Sequence, residues 1–260
     1  MVETALFGPG SYRYVRGPFQ YSGGVRAEPG FTIERVRFAK PRPIVEGFQE
    51  IEAHLTALGR PTEAFCACEL RSPAPFDDAG FIAFNRVYVG TLEKWGIFKD
   101  EENPVARSNV CPELHKPSEP VFEAFCYTVP TTKPQSNAGG ISGDDVKSFV
   151  IAGSGEATEA AGDYADRIIR LGETTPDALT EKARHVLKTM EARMSGLGVN
   201  WADAGTTQVY SVYDLHPFFA SEIISRGAAS SGLTWYYARP PVQGLDYEMD
   251  VRNVPTELVI

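Results

Sequence analysis

The chain has 260 residues, 43% hydrophobic and 23% charged, a globular balance that excludes a disordered polymer. Its formal charge of -9 repels polyanions and no basic stripe offsets it, so nucleic acid is not an expected partner. No apolar run approaches the roughly 18 residues of a membrane span, and the opening MVETALFGPGSY has neither the basic stretch nor the apolar core of a secretion signal. A cytoplasmic protein without membrane contact, its thiols reduced, is expected.

In chain order, the first predicted element is an apolar, β-rich segment ending in small residues, FQYSGGV (Phe19–Val25). An amphipathic helix follows, with Val45, Phe48, Ile51, Leu55 and Leu58 at spacings of three and four, stopping at Leu58-Gly59, where glycine suits a left-handed cap. The strand AFCACEL carries Cys66 and Cys68, which period-2 alternation places on one face. These two, with Cys111 and Cys126, are expected to be packing residues. No metal is expected, because the histidines supply no second ligand pair at suitable spacing. An acidic turn, PFDDAGF, a second helix, an Ala106-Arg107 pair and the alternating strand VFEAFCYTV close this half.

The stretch from Pro130 to Asp145 is rich in Pro, Gly, Ser and Asn and has no hydrophobic period. It divides the chain into a first domain at 1–132, a linker at 133–144 and a second domain at 145–260. The second half runs through the same series: FVIAGSGE (Phe149–Glu156), a helix with Val186, Leu187, Met190, Met194 and Leu197, a stop at Leu197-Gly198, the strand TTQVYSV, the turn VYDLHPF, Ala238-Arg239 and the strand LDYEMDV. Shared order at a nearly constant offset points to two diverged copies of one α+β domain, each a sheet with two helices on one face.

Several strings of the first half resemble the RidA/YjgF family of enamine and imine deaminases. They are the helix ending in Ala57–Gly59, FIAFNRVY (Phe81–Tyr88), PVARSNV (Pro104–Val110), the strand VFEAFCYTV and YSGG (Tyr21–Gly24). The second half is similar in the same order, through Ile151–Ser154, Gly196–Gly198, Phe218–Glu222, Tyr237–Val242 and Leu245–Val251. The resemblance implies chorismate-mutase-like domains, homotrimers with clefts between neighbours, and cofactor-independent hydrolytic deamination. Its carboxylate-binding arginine falls on Arg107 and Arg239. Its Ser and Asn fall on Ser22 and Asn85 in the first half, and its strand acid on Asp246 in the second, with Glu248 two residues on. Val121, Ala152 and Glu222 stand where the pattern is broken.

This chemistry needs little equipment. A guanidinium matches a carboxylate bidentately, and one carboxyl group can shuttle the protons of enamine hydrolysis. Asp246 and Glu248 are the expected shuttle; Arg239, Arg107, Ser22 and Asn85 the expected substrate contacts. An acidic strand is also compatible with a solvated outer face, although Asp246, Glu248 and Asp250 would then crowd one face. Either arginine is equally a surface ion pair, and Ser22 and Asn85 equally a turn hydroxyl and a buried backbone partner. Since each half keeps what the other lacks, a composite site around Arg239 is expected. Within the resemblance, the 2-aminomuconate deaminase branch fits best, because its enamine carries a carboxylate at each end. A chorismatase-like enzyme and a non-catalytic carboxylate-binding module are the alternatives.

Overall fold

The computed structural model describes residues 2–131, 147–158 and 162–260; the expected linker at 133–144 lies outside them. Strands β1 (Thr4–Phe7), β2 (Tyr12–Val15) and β3 (Gly24–Ala27) form an antiparallel meander. Strand β4 (Phe31–Pro43) leads into helix α1 (Ile44–Ala57), strand β5 (Phe65–Arg71), helix α2 (Asp78–Lys94), β6 (Ala106–Pro112) and β7 (Val121–Pro130). After them come β8 (Phe149–Gly155), α3 (Pro176–Gly196), β9 (Thr206–Tyr210), β10 (Thr234–Tyr236), β11 (Ala238–Arg239), β12 (Glu248–Asn253) and β13 (Thr256–Val259). None of the helices described is long and apolar enough to cross a membrane.

Local chemistry explains the helix ends. Asp77 caps α2 by accepting from the Gly80 amide at 2.7 Å, and Thr175 caps α3 from the Ala178 amide at 3.3 Å, with Pro176 in the first turn. Both Leu-Gly stops behave as expected: Gly59 and Gly198 adopt left-handed φ of 64° and 69°. The whole apolar stripe of α3 is buried, whereas in α1 only Phe48, Ile51 and Leu55 are, and Val45 and Leu58 lie exposed on its flanks. The expected second helix of the second half is a short irregular stretch over 216–226. Pro217 follows its first residue, and Gly227, at a left-handed φ of 83°, ends it.

The strands form two sheets, in the orders β1-β2-β3-β8-β12-β9-β10 and β11-β6-β5-β7-β4-β13. Neither sheet keeps to one half of the sequence, which corrects the expectation of separate sheets in 1–132 and 145–260. Strand β3 pairs with β8 through Gly24 and Ile151, so residues 4–27 complete the sheet of the second half. In return, β13 runs parallel to β4, and β11 pairs with β6. The segment before β3 ties the sheets together: Ser22 bridges Ala106 of β6, its amide donating to the Val105 carbonyl at 2.9 Å.

Each sheet turns one face to its own helices and the other to its neighbour sheet. Phe48, Tyr88, Leu92, Phe122 and Phe125 fill the core under α1 and α2, and Val186, Met190, Phe149, Tyr247 and Val251 the core under α3. Between the sheets lies a thinner layer of Tyr12, Val25, Ile33, Ala67, Ala106, Cys126 and Ala152. Cys66 belongs to this layer and Cys68 to the helix side, so they do not share a face. A register shift between Phe65 and Ala67 in the pairing of β5 with β7 breaks the alternation there.

The inter-sheet layer is also charged. Glu69 of β5 lies 2.7 Å from Arg35, 3.4 Å from Arg71 and 3.6 Å from Arg252 of β12, all four side chains buried. Burial alone would push the Glu69 carboxyl up, but Arg35, Arg252 and Arg71 outweigh it and hold it at about 2. Next on β12, Asp250 accepts from Ser108 and from Tyr210, both at 2.7 Å. Gly153 permits this close approach: a Cβ there would collide with the Glu248 carboxyl and come within 3.1 Å of Ser108 Cα.

Removing Glu69 leaves buried Arg71 without its carboxylate, and leaves Arg35 and Arg252 with only the half-exposed Glu257 among the described residues. Glu69→Ala is expected to lower stability by about 3–5 kcal/mol, read as a shift in the urea unfolding midpoint. Because the folded pKa is depressed, the wild-type contribution is present above the ordinary value near ~4.3 and disappears as pH falls toward 2. The variant's unfolding should lack that acid-dependent component.

Candidate active site

A cavity of about 470 Å³ opens where β6, β8 and β12 meet. Its walls come from both halves: Arg107 and Asn109 of β6, Gly153 to Gly155 of β8, Glu248 of β12, and Thr189 and Arg193 of α3. Arg16 and Tyr21 of the β2–β3 connection and Tyr164 and Arg167 of the segment before α3 close it further.

Arg107 is only 3% exposed, yet its Nη1 has no hydrogen-bond partner. No carboxylate within ion-pair distance offsets its charge among the described residues. Aromatic rings hold it instead: its guanidinium carbon lies 4.8 Å from the Tyr88 ring centre, 5.5 Å from Tyr21 and 5.7 Å from Phe84. A buried cation with a free donor, facing a cavity, has the chemistry to pair with an anion.

Glu248, also 3% exposed, lines the same cavity. Burial pushes its carboxyl well above the usual range, and the neighbouring Asp250 and Glu156 carboxyls push it further; Arg107 and Arg71 oppose them only in part. Asp250 itself is raised to about 6, by burial and then by Glu69. Behind Glu248 sits a second buried group. Lys182 of α3, fully enclosed, lies 2.5 Å from Asp246 and 3.5 Å from Glu156. Glu156 accepts from the amides of Asp246 at 2.6 Å and Tyr247 at 3.0 Å, and burial still raises it to about 7. The cavity thus pairs a permanent cation with a carboxyl that holds its proton more tightly than an ordinary glutamate. That pair can bind a carboxylate and deliver a proton beside it. Among the described residues, no three His, Cys, Asp or Glu side chains are arranged to hold a metal ion.

The structure brings some expected residues together and separates others. Arg107 and Glu248 share the cavity, one from each half. Ser22 is buried just behind Tyr21, its hydroxyl 3.4 Å from the Gly24 carbonyl. Asn85 is buried in α2, donating to the Phe81 carbonyl at 2.6 Å while its Oδ1 has no partner. Arg239 does not reach the cavity. Its strand β11 is two residues long and pairs at the edge of β6, where the guanidinium meets Glu113 at 3.0 Å. Asp246 is spent on Lys182, so the expected cluster of Arg239 with Asp246 and Glu248 does not form. The acids of the segment LDYEMDV are not a solvated face either, since Asp246, Glu248 and Asp250 are all buried.

Sequence reasoning missed Glu156, Lys182, Tyr164 and Arg167. A signal existed for Lys182, which falls within the apolar stripe of α3 between Leu179 and Val186, where a lysine needs a buried acid. Tyr164 and Arg167 lie in an irregular stretch without hydrophobic period.

Comparison with known proteins shows the family. A family described as "2-aminomuconate deaminase CnbZ" matches residues 4–258. The chain is 50% identical, over the full length of both proteins, to a 2-amino-5-chloromuconate deaminase of Comamonas testosteroni. A chorismatase crystal structure superposes with a TM-score of 0.52 at 11% identity, over 96% of this chain and 79% of that one, a likeness of fold alone. The chain belongs to the 2-aminomuconate deaminase CnbZ family.

Since burial raises the Glu248 carboxyl, its ionisation works against folding. Its penalty is absent below the ordinary glutamate value of ~4.3 and grows as pH rises above it. Glu248→Gln, a neutral isostere, should therefore gain stability relative to the wild type as pH is raised from 4 to 8 in thermal unfolding. Parallel pH curves for the two proteins would show that Glu248 does not carry the buried proton.

Proposed function

We propose that this family member is a cofactor-independent hydrolase that releases ammonia from 2-aminomuconate or a ring-substituted, for instance chlorinated, analogue in the breakdown of aromatic compounds. One observation carries the reading most: Arg107, a buried guanidinium with no carboxylate within ion-pair distance among the described residues, shares a cavity with Glu248, whose carboxyl burial pushes well up. The full-length identity to a deaminase of such a substrate supports it.

In this mechanism Arg107 holds the carboxylate next to the amino-bearing carbon. Glu248 gives its proton to the enamine carbon, turning the C=C–NH₂ unit into an iminium. Water then adds to the C=N carbon, losing a proton to the Glu248 carboxylate. That proton goes on to the nitrogen, the C–N bond breaks, and ammonia leaves as the carbonyl forms, the hydroxyl proton returning to the Glu248 carboxylate. The balance is enamine acid plus water giving oxo acid, or its enol, plus ammonia. Burial suits Glu248 to both directions of transfer, since a raised pKa brings the acid closer to neutrality.

The broader organisation follows the same reading. The two halves are diverged copies of one domain, three chains associate so that neighbouring domains complete their surfaces, and the enzyme works in the cytoplasm with its four buried cysteines free. Exposed residues at both outer strands, Trp235, Tyr236 and Tyr237 at β10 and Leu258, Val259 and Ile260 at β13, support the trimer by offering apolar edges for contact. Sedimentation at micromolar concentration should give the mass of three chains, and a strict monomer would overturn the assembly.

For catalysis, Arg107→Ala should reduce kcat/KM by about 10- to 150-fold, the value of a charge-assisted contact of ~1.5–3 kcal/mol. Arg239→Ala should remain near wild type, because its partner is Glu113. Glu248→Gln should lower kcat by about 10²- to 10⁴-fold. In the wild type, activity should fall as pH rises through the elevated Glu248 pKa. Ammonia release followed on 2-aminomuconate measures all of these, and full activity in Glu248→Gln would sink the proton-shuttle assignment.

A further inference from the structure

A dicarboxylate needs a second anchor, and the cavity contains more cations than Arg107. Four arginines line it: Arg16, Arg107, Arg167 and Arg193. Arg16 is committed to Glu3 at 2.9 Å and to Glu102. Arg193 donates to the Ala152 carbonyl at 3.4 Å and has a further partner. Arg167 differs from both. Its hydrogen bonds go to neutral backbone carbonyls, Thr158 at 3.0 Å and Asp163 at 3.4 Å, and no carboxylate lies within ion-pair distance of it among the described residues.

Its position is also defined. The guanidinium carbon of Arg167 lies 4.3 Å from the Tyr164 ring centre. Tyr164 packs edge-on against Phe81 at 6.1 Å, and Asp78, at the start of α2, accepts from its amide at 3.1 Å. An isolated pairing of Ala157 with Ile168 closes the loop that carries both residues. Tyr164 and Tyr21 both line the cavity, and Tyr21 in turn lies under Arg107. Two guanidiniums that have no carboxylate within ion-pair distance among the described residues, each backed by a tyrosine, therefore share one cavity. Arg107 is in the buried wall and Arg167 in the half-buried loop.

We propose that Arg167, held on Tyr164, binds the second, distal carboxylate of the substrate and so sets the preference for dicarboxylates. The inference rests on the reading of this cavity as a carboxylate site and names the residue that distinguishes a six-carbon diacid from a shorter or singly charged enamine. In the proposed geometry, the Arg107 end fixes the reacting carbon beside Glu248, and the Arg167 end selects which molecule is fixed there.

Binding of two unreactive ligands tests this without relying on turnover. Muconate and sorbate share a six-carbon diene chain and differ in the second carboxylate. Calorimetry on the full chain should show the wild type binding muconate about 10- to 150-fold more tightly than sorbate. Arg167→Ala should bind both alike, at the sorbate level, and Arg167→Lys should recover part of the preference. Arg107→Ala should weaken both ligands together. A muconate preference that survives Arg167→Ala, or is absent from the wild type, overturns the assignment. Equal weakening of both ligands by Arg167→Ala does so too. The deaminase reading fails separately, by absence of ammonia release from a protein that still prefers the diacid.

Discussion

The architecture hangs on one buried contact between the sheets, Glu69 of β5 against Arg252 of β12, with Arg35 and Arg71 on the same carboxylate. Ion pairs of this kind rarely stabilise a fold more than well-packed apolar residues would. Their effect is on register, since sliding one sheet past the other would leave charges unmatched in a dry layer. The side chains of β12 that face the sheet holding β5 and β6 recur every second residue. Arg252 meets Glu69, Asp250 meets Ser108, and Glu248 comes beside Arg107. Locking one rung of this ladder locks the others, so the cavity inherits its geometry from a contact outside it.

The ladder also changes character along its length. At one end, three guanidiniums surround Glu69 and pull its proton off. At the other, Glu248 faces neighbouring carboxyls that push its pKa up, while Arg107 rests on aromatic rings, with no carboxylate within ion-pair distance among the described residues. Carboxyl groups on two facing strands are thus shifted in opposite directions, Glu69 of β5 down and Glu248 of β12 up. The difference arises from which neighbours the sheet packing supplies, since both groups are buried to a similar degree. That cation lies where the layer opens into the cavity.

Much of this was legible from periodicity and local caps. The helix stops at Gly59 and Gly198, the apolar stripe of α3 and the two cavity residues Arg107 and Glu248 all follow from short-range pattern or motif. Pairing across the halves is not carried by such patterns. FQYSGGV and FVIAGSGE look like equivalent strands of separate domains, yet β3 and β8 lie side by side. Arg239 occupies the position matching Arg107 in sequence, but its strand is too short to hold a place of its own and is drawn to the edge of β6. Cys66 and Cys68 depart from alternation because of a single register shift that no residue type announces. Arg167 lay in a loop without period, where composition says nothing of what a side chain will face.

The exchange of strands between halves has a consequence for how the chain is made. Residues 4–27 have no complete sheet to join until β8, beginning at Phe149, has left the ribosome. At ~5–20 residues per second, the intervening ~120 residues take about 6–25 s. During that interval three paired strands present an open edge, in which Val25 and its neighbours have yet to find their partners. Closure of the second sheet is a long-range event by necessity, and slow compared with helix formation. A nascent chain stalled before Phe149 would therefore display that edge to any other strand in reach, which makes the N-terminal meander the natural client for a chaperone.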